Sequence, residues 1–167
     1  MPFKALTPFL SVSPQLSEAD VAQAARDGFR AIIDNRPDGE DPGQPTAEDM
    51  RALAASQGMG FAHVPTVGGA VADEHAAQMA DALSRLEGPV LAYCRTGMRS
   101  TTLWALTQAG SEPTETLIST AAGAGYDLSP LRPRLDAPRN ATTSAESERA
   151  SVNVGPGLVE AGLTDAP

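Results

Sequence analysis

The stretch VLAYCRTGMRSTTLWAL, residues 90–106, decides how the rest of the chain is read. It opens on strand-like residues and, after Tyr93, reaches Cys94, the only cysteine in the sequence. A short loop, Arg95-Thr96-Gly97-Met98, leads into a pattern that reads as a helix from Arg99 to about Gln108. In an open parallel sheet, ligands bind beyond the carboxyl ends of the strands, and Cys94 stands at such an end. Gly97 permits a tight backbone path that turns successive amide N–H groups toward one point. The first helical turn adds unpaired N–H donors and the positive end of a dipole. These features favour a thiolate over a thiol, and they also cradle an anionic substrate beside the sulfur. Arg99 can offer a planar fork of donors to a tetrahedral oxyanion. Arg95 adds a second positive charge, and the hydroxyl of Ser100 or Thr101 could bond the sulfur or a leaving group. A cysteine taken by type alone is usually inert packing. Strand end, glycine loop, two arginines and helix together favour a nucleophile.

Outward from this stretch, apolar segments alternate between strand and helix periods. Phe9 to Ser13 reads as a strand. A helix follows, with Ser17 as its cap, Asp20 three positions on and Gly28 as its stop. Phe29 to Asn35 is a buried strand, and Arg36 to Pro45 is a turn-rich loop whose prolines exclude regular structure. Thr46 caps a second helix with Met50, Leu53 and Ala54 on its apolar face, ended by Gly58. GFAHVP is a third strand, TVGGAVA a loop, and Asp73 to Leu86 a third helix. Pro89 to Tyr93 is a fourth strand, and a short helix near Thr114 to Ala122 precedes a proline-rich exit. Strands alternating with helices predict an α/β fold, with a mainly parallel central sheet flanked by helices.

The chain has 167 residues, enough for one ordinary domain. Its seven aromatics all lie before residue 127, which puts the core in the first three quarters. We read residues 1–136 as the domain and 137–167, poor in large apolar groups, as a mobile tail. A net charge of −9 argues against a nucleic-acid partner. No apolar run suits a membrane span and no leader pattern opens the chain, so the expectation is a soluble cytoplasmic protein. Two separated histidines and one cysteine make a poor metal set, and no cofactor is called for.

Strand-Cys-loop-Arg-helix resembles the cysteine phosphatases and the rhodaneses. LTPFLSVSPQ, NRPDGEDPGQP and AYCRTGMRSTTLWAL together resemble the bacterial beta-lactamase-hydrolase-like protein family, whose phosphatase-like domain is also regarded as a candidate sulfur transferase. The resemblance covers roughly residues 3–135. It implies a dual-specificity-phosphatase-like fold with Cys94 as nucleophile and Arg99 as the anion-binding arginine.

The two chemistries ask for different loops. Cysteine phosphatases place five residues between Cys and Arg, a spacing that would put arginine where Ser100 stands. Here four residues intervene, and CRTGMR fits the rhodanese pattern Cys-Arg-x-Gly-x-Arg/Thr. Many phosphatases also place His before the nucleophile, where this chain has Tyr93. Ester hydrolysis normally needs an acid for the departing oxygen. The loop PTVGGAVA carries no carboxylate, whereas sulfite leaves thiosulfate readily. The expectation is therefore sulfur transfer through a persulfide on Cys94. The donor would be a small anionic sulfur compound. With no second cysteine, the acceptor must be external: glutathione, another thiol or cyanide. Phosphoester hydrolysis is the alternative, and a non-catalytic anion- or partner-binding module is a third reading. Arg36 and Asp38 should lie on the same rim, Arg36 adding charge and Asp38 standing as the missing acid or as an ordinary turn residue. Glu40 and Asp41 read as solvated surface, His63 as a hydrogen-bonded structural residue and His75 as solvent-facing.

Overall fold

Four of the five strands are four-residue runs rich in small or apolar residues, and three of the helices start where a side chain holds a free N–H group. The structure, a computed structural model, describes residues 3–137. In chain order the elements are β1 (Lys4–Ala5), β2 (Leu10–Ser13), α1 (Glu18–Arg26), β3 (Ala31–Asp34), α2 (Ala47–Ser56) and β4 (Gly60–His63). There follow α3 (Asp73–Arg85), β5 (Val90–Tyr93), α4 (Met98–Gln108), α5 (Thr114–Gly123), a 3-10 turn (Ser129–Leu131) and α6 (Arg132–Asp136). Ser17 and Asp20 cap α1 reciprocally, and Thr46 and Asp49 do the same for α2. At α3 the side chain at the end is His75, whose Nδ1 accepts the Ala72 N–H at 2.9 Å. His75 therefore closes a helix end, a role that its position in the first turn left open and that the solvent-facing expectation missed.

The strands form one sheet in the order β1-β2-β5-β3-β4, parallel except for β1. The α/β fold with a mainly parallel sheet is thus present, with one addition. The two-residue β1 pairs antiparallel to β2, too short and exposed to leave a periodic signal.

Alternation along the strands divides the core. Ala31, Ile33, Val90 and Ala92 pack with Met79 of α3 and Leu103 and Leu106 of α4 on one face. Ile32, Leu91 and Tyr93 pack with Val21 of α1 and Met50 and Ala54 of α2 on the other. Fully burying a side chain such as Leu103 or Leu91 contributes about 1.5–3 kcal/mol, so a four-residue strand buried on both faces suffices here. Helix α4 is enclosed on most sides, with Ser100, Thr101, Leu103, Trp104, Ala105 and Leu106 all buried.

Strand β5 lies between β2 and β3, and its chain exit turns toward the face opposite to theirs. A crevice therefore opens at its carboxyl end, where Cys94 stands. Among the described residues no helix is long and apolar enough to cross a membrane, and no group of three or more His, Cys, Asp and Glu is placed to hold a metal. The tail expected beyond residue 137 lies outside the described residues.

Candidate active site

The loop after β5 is tied down from three sides. The Cys94 N–H reaches the Ser13 carbonyl at 3.4 Å, and the Gln15 N–H donates to the Arg95 carbonyl at 3.3 Å. Asn35, fully buried, is the knot of the rim. Its N–H donates to the Tyr93 carbonyl at 2.8 Å, its Nδ2 donates to the Val64 carbonyl at 3.1 Å, and its Oδ1 accepts the Ser100 hydroxyl at 2.8 Å. One residue, through its main-chain N–H and its side-chain amide, thus binds together the ends of β3, β4 and β5 and the start of α4.

Within the loop Cys94 is buried and its Sγ accepts the Gly97 N–H at 3.1 Å. Gly97 has φ 95°, the left-handed conformation that ends the loop and starts α4. It also admits Tyr126: a Cβ at position 97 would sit 2.1 Å from the Tyr126 hydroxyl, which itself donates to the Thr96 carbonyl at 3.0 Å. Burial, followed by the charge of Cys94, holds the Tyr126 phenol above its ordinary range, so it stays a donor. Gly97→Ala should therefore destabilise the protein by about 1–3 kcal/mol from backbone strain alone. Chemical unfolding of the double variant with Tyr126→Ala checks this. Clearing the space leaves φ unchanged, so only partial recovery is expected, and full recovery would show that φ carries no strain.

Arg99 reaches back across the crevice. Its Nη1 donates to Glu40 Oε2 at 2.7 Å and to the Thr66 carbonyl at 2.8 Å, and its Nη2 donates to Glu40 Oε1 at 2.9 Å. Three of its five N–H donors are thereby committed. The others remain for an oxyanion beside the sulfur, and the guanidinium is near enough to Cys94 to interact with its charge. Glu40 also accepts from Arg36 Nε at 2.8 Å. Arg36 is itself buried, donating through Nη1 to Gln15 Oε1 at 2.8 Å and through Nη2 to Asp41. Glu40 is thus the carboxylate between two guanidinium groups, with Arg99 its stronger partner. These hydrogen bonds hold its carboxyl at about 2, well below the ordinary 4.5.

The linkage follows from that depression. Glu40 binds a proton more readily in the unfolded chain, so its contribution to stability is complete above about 4.5 and is lost as pH falls toward about 2. Denaturant titrations across this acid window should show a steeper loss for wild type than for Glu40→Gln. Parallel pH curves would contradict the ion-pair geometry.

The other rim residues fall into place around this pair. Arg95 is exposed and lies 3.4 Å from Asp41, directed along the rim. Thr96 holds the loop through its own Oγ1, which accepts the Met98 N–H at 3.3 Å, and the Met98 side chain stands exposed at the mouth. Two of the candidate residues make bonds that hold the frame. Ser100 bonds Asn35 in the interior, where it joins α4 to β3. Asp38 accepts the Ala47 N–H at 2.8 Å, so it secures the start of α2. Glu40 and Asp41, read as solvated surface, are the partners of three arginines. The signal for Glu40 was present in its spacing from Arg36, four residues on in a loop at the same rim. The roles of Thr66 and Tyr126 depend on tertiary proximity and had no local sign. Behind the loop, His63 Nε2 lies 3.0 Å from the Arg36 carbonyl, and the Tyr93 phenol interacts with the Asp34 carboxyl. Burial raises the Asp34 carboxyl, and burial followed by Asp34 raises the Tyr93 phenol.

A lone thiol under a glycine turn, a facing arginine and a mainly parallel sheet define an α/β fold of the cysteine-phosphatase kind. Residues 2–111 match the family model for the phosphatase-like domain of beta-lactamase hydrolase-like proteins, and the chain belongs to that family. A beta-lactamase hydrolase-like protein of Agrobacterium fabrum is 34% identical over 100 residues, covering 60% of this chain and 23% of that protein. The chain thus corresponds to less than a quarter of that relative's length. Among solved structures, a candidate phosphatase of Neisseria meningitidis superposes with TM-score 0.75 at 36% identity, covering 81% of this chain and 97% of that one. P. aeruginosa TpbA, solved with pTyr, shares the fold at TM-score 0.59 and 19% identity, covering 75% of each chain.

Proposed function

We propose that this domain hydrolyses phosphomonoesters through a phosphocysteine on Cys94. The observation that carries the reading is the facing of Cys94 and Arg99 across one loop. The Cys94 sulfur sits under the Gly97 N–H, and Arg99, braced by Glu40 and Thr66, lies within electrostatic reach of it. Likeness to the candidate phosphatase of N. meningitidis supports hydrolysis over the sulfur transfer expected from loop spacing. In the first step Cys94 Sγ attacks phosphorus, the ester P–O bond breaks, and the alcohol leaves with a proton from solvent. In the second step water attacks phosphorus, the S–P bond breaks, and inorganic phosphate departs. Arg99 and the loop amides hold the equatorial oxygens throughout.

Sulfur transfer keeps one specific observation in its favour, the four-residue spacing from Cys94 to Arg99. There Sγ would attack the outer sulfur of thiosulfate, sulfite would leave, and an external thiol would take the sulfur from the persulfide. A paired assay separates the two: p-nitrophenyl phosphate hydrolysis and sulfite release from thiosulfate with glutathione, each on wild type and Cys94→Ser. We expect Cys94-dependent hydrolysis of the ester. Cys94-dependent sulfite release without ester hydrolysis would overturn the proposal in favour of sulfur transfer.

A further inference from the structure

A pocket of about 490 Å³ opens directly beside Arg99. Its walls come from three places: Gly68 to Val71 of the loop after β4, Met98 and Thr102 of α4, and Leu131 and Arg134 of the C-terminal turn and α6. The lining is mostly carbon. Apart from Arg99 its charged wall is Arg134, which is already engaged, with Nη1 donating to the Val71 carbonyl at 2.7 Å and Nη2 to Asp73 at 2.8 Å. That tie also joins α6 to the loop and sets the width of the pocket. Three large hydrophobic side chains are exposed among the described residues, and one of them, Met98 at 36%, lines this pocket. A larger cavity of about 560 Å³ lies along β4, with none of residues 94–100 in its lining.

A tetrahedral oxyanion occupies only a few water volumes, at about 30 Å³ per water, and would leave most of the pocket beside Arg99 empty. A cavity of this size and lining suits a compact organic ligand group. Two of its walls, Leu131 and Arg134, also lie beyond residues 2–111, the segment that matches the family model.

We propose that this pocket is the subsite for the organic part of the substrate: an uncharged, apolar group carried on the anion that Arg99 binds, with Leu131 a determinant of that choice. The assignment deepens the phosphomonoester reading above and rests on it for the nature of the anion. It predicts that this chain selects esters by the apolar body behind the phosphate.

The test uses the full chain as Cys94→Ser, so that binding is read without turnover, and 1-naphthyl phosphate and inorganic phosphate as probes in calorimetric titrations. Burying one naphthyl face should make the ester bind on the order of 30-fold more tightly than inorganic phosphate. Leu131→Asp should reduce that preference to about threefold or less, since a carboxylate replaces apolar wall. Ala70→Phe, which fills the pocket from an exposed loop position, should do the same and guards against a folding defect in the first variant. Equal affinity of the two probes, or a preference that survives both substitutions, would overturn the subsite. A preference lost in both variants, with no hydrolysis by the wild-type chain, would keep the subsite and remove the phosphatase reading.

Discussion

Cys94→Ser abolishes turnover of p-nitrophenyl phosphate, with an expected loss in kcat of at least about a thousandfold. Serine is close in size, so the packing around a fully buried side chain is retained. The Gly97 N–H that meets Sγ at 3.1 Å still has an oxygen to meet. What disappears is the polarisable sulfur nucleophile. Steady-state kinetics with a thermal melt of both proteins checks the prediction. An unchanged melt with lost activity assigns the effect to chemistry. Residual turnover within about tenfold of wild type would mean that another group carries the reaction.

The second large effect belongs to Arg99 and to the carboxylate that aims it. Arg99→Ala should lower kcat/KM by about 100- to 1000-fold, the usual cost of removing a donor to developing negative charge. Glu40→Gln should cost about 10- to 100-fold, because the guanidinium loses the two-point contact that fixes its direction. Glu40 acts through Arg99, so in the double variant the two losses should not add. Additive losses would show that Glu40 has an independent role in the reaction.

These expectations bear on what the sequence disclosed. The strand-loop-helix around Cys94 was legible because strand β5 is a compact apolar run, Gly97 breaks it, and α4 follows at once. Both reciprocal caps, at Ser17 and Thr46, were readable because a capping box is local, with its partners three residues apart. The antiparallel β1 was not readable, since two exposed residues carry no period.

The site divides the same way. Cys94 and Arg99 share one short stretch and could be found together. The clamp on Arg99 brings in Glu40 and Thr66, which are 59 and 33 residues away in the chain. Ser100 stood at a position where a hydroxyl could serve the sulfur, yet the helix turns it inward to Asn35, 65 residues distant. A loop sequence fixes which groups are present, and the helix phase decides which of them face the cavity. The same limit applied to the reaction. Residue spacing pointed to sulfur transfer, whereas the likeness of nearly a whole candidate phosphatase domain supports hydrolysis.

The most direct measurement is acid-quenched intact-mass analysis of wild type and Cys94→Ser, mixed for milliseconds with p-nitrophenyl phosphate or with thiosulfate. The account predicts one added phosphoryl group on the wild-type protein with the ester, mapped to Cys94, and none on the variant. A wild-type protein that gains a single sulfur atom from thiosulfate and never a phosphoryl group would contradict it.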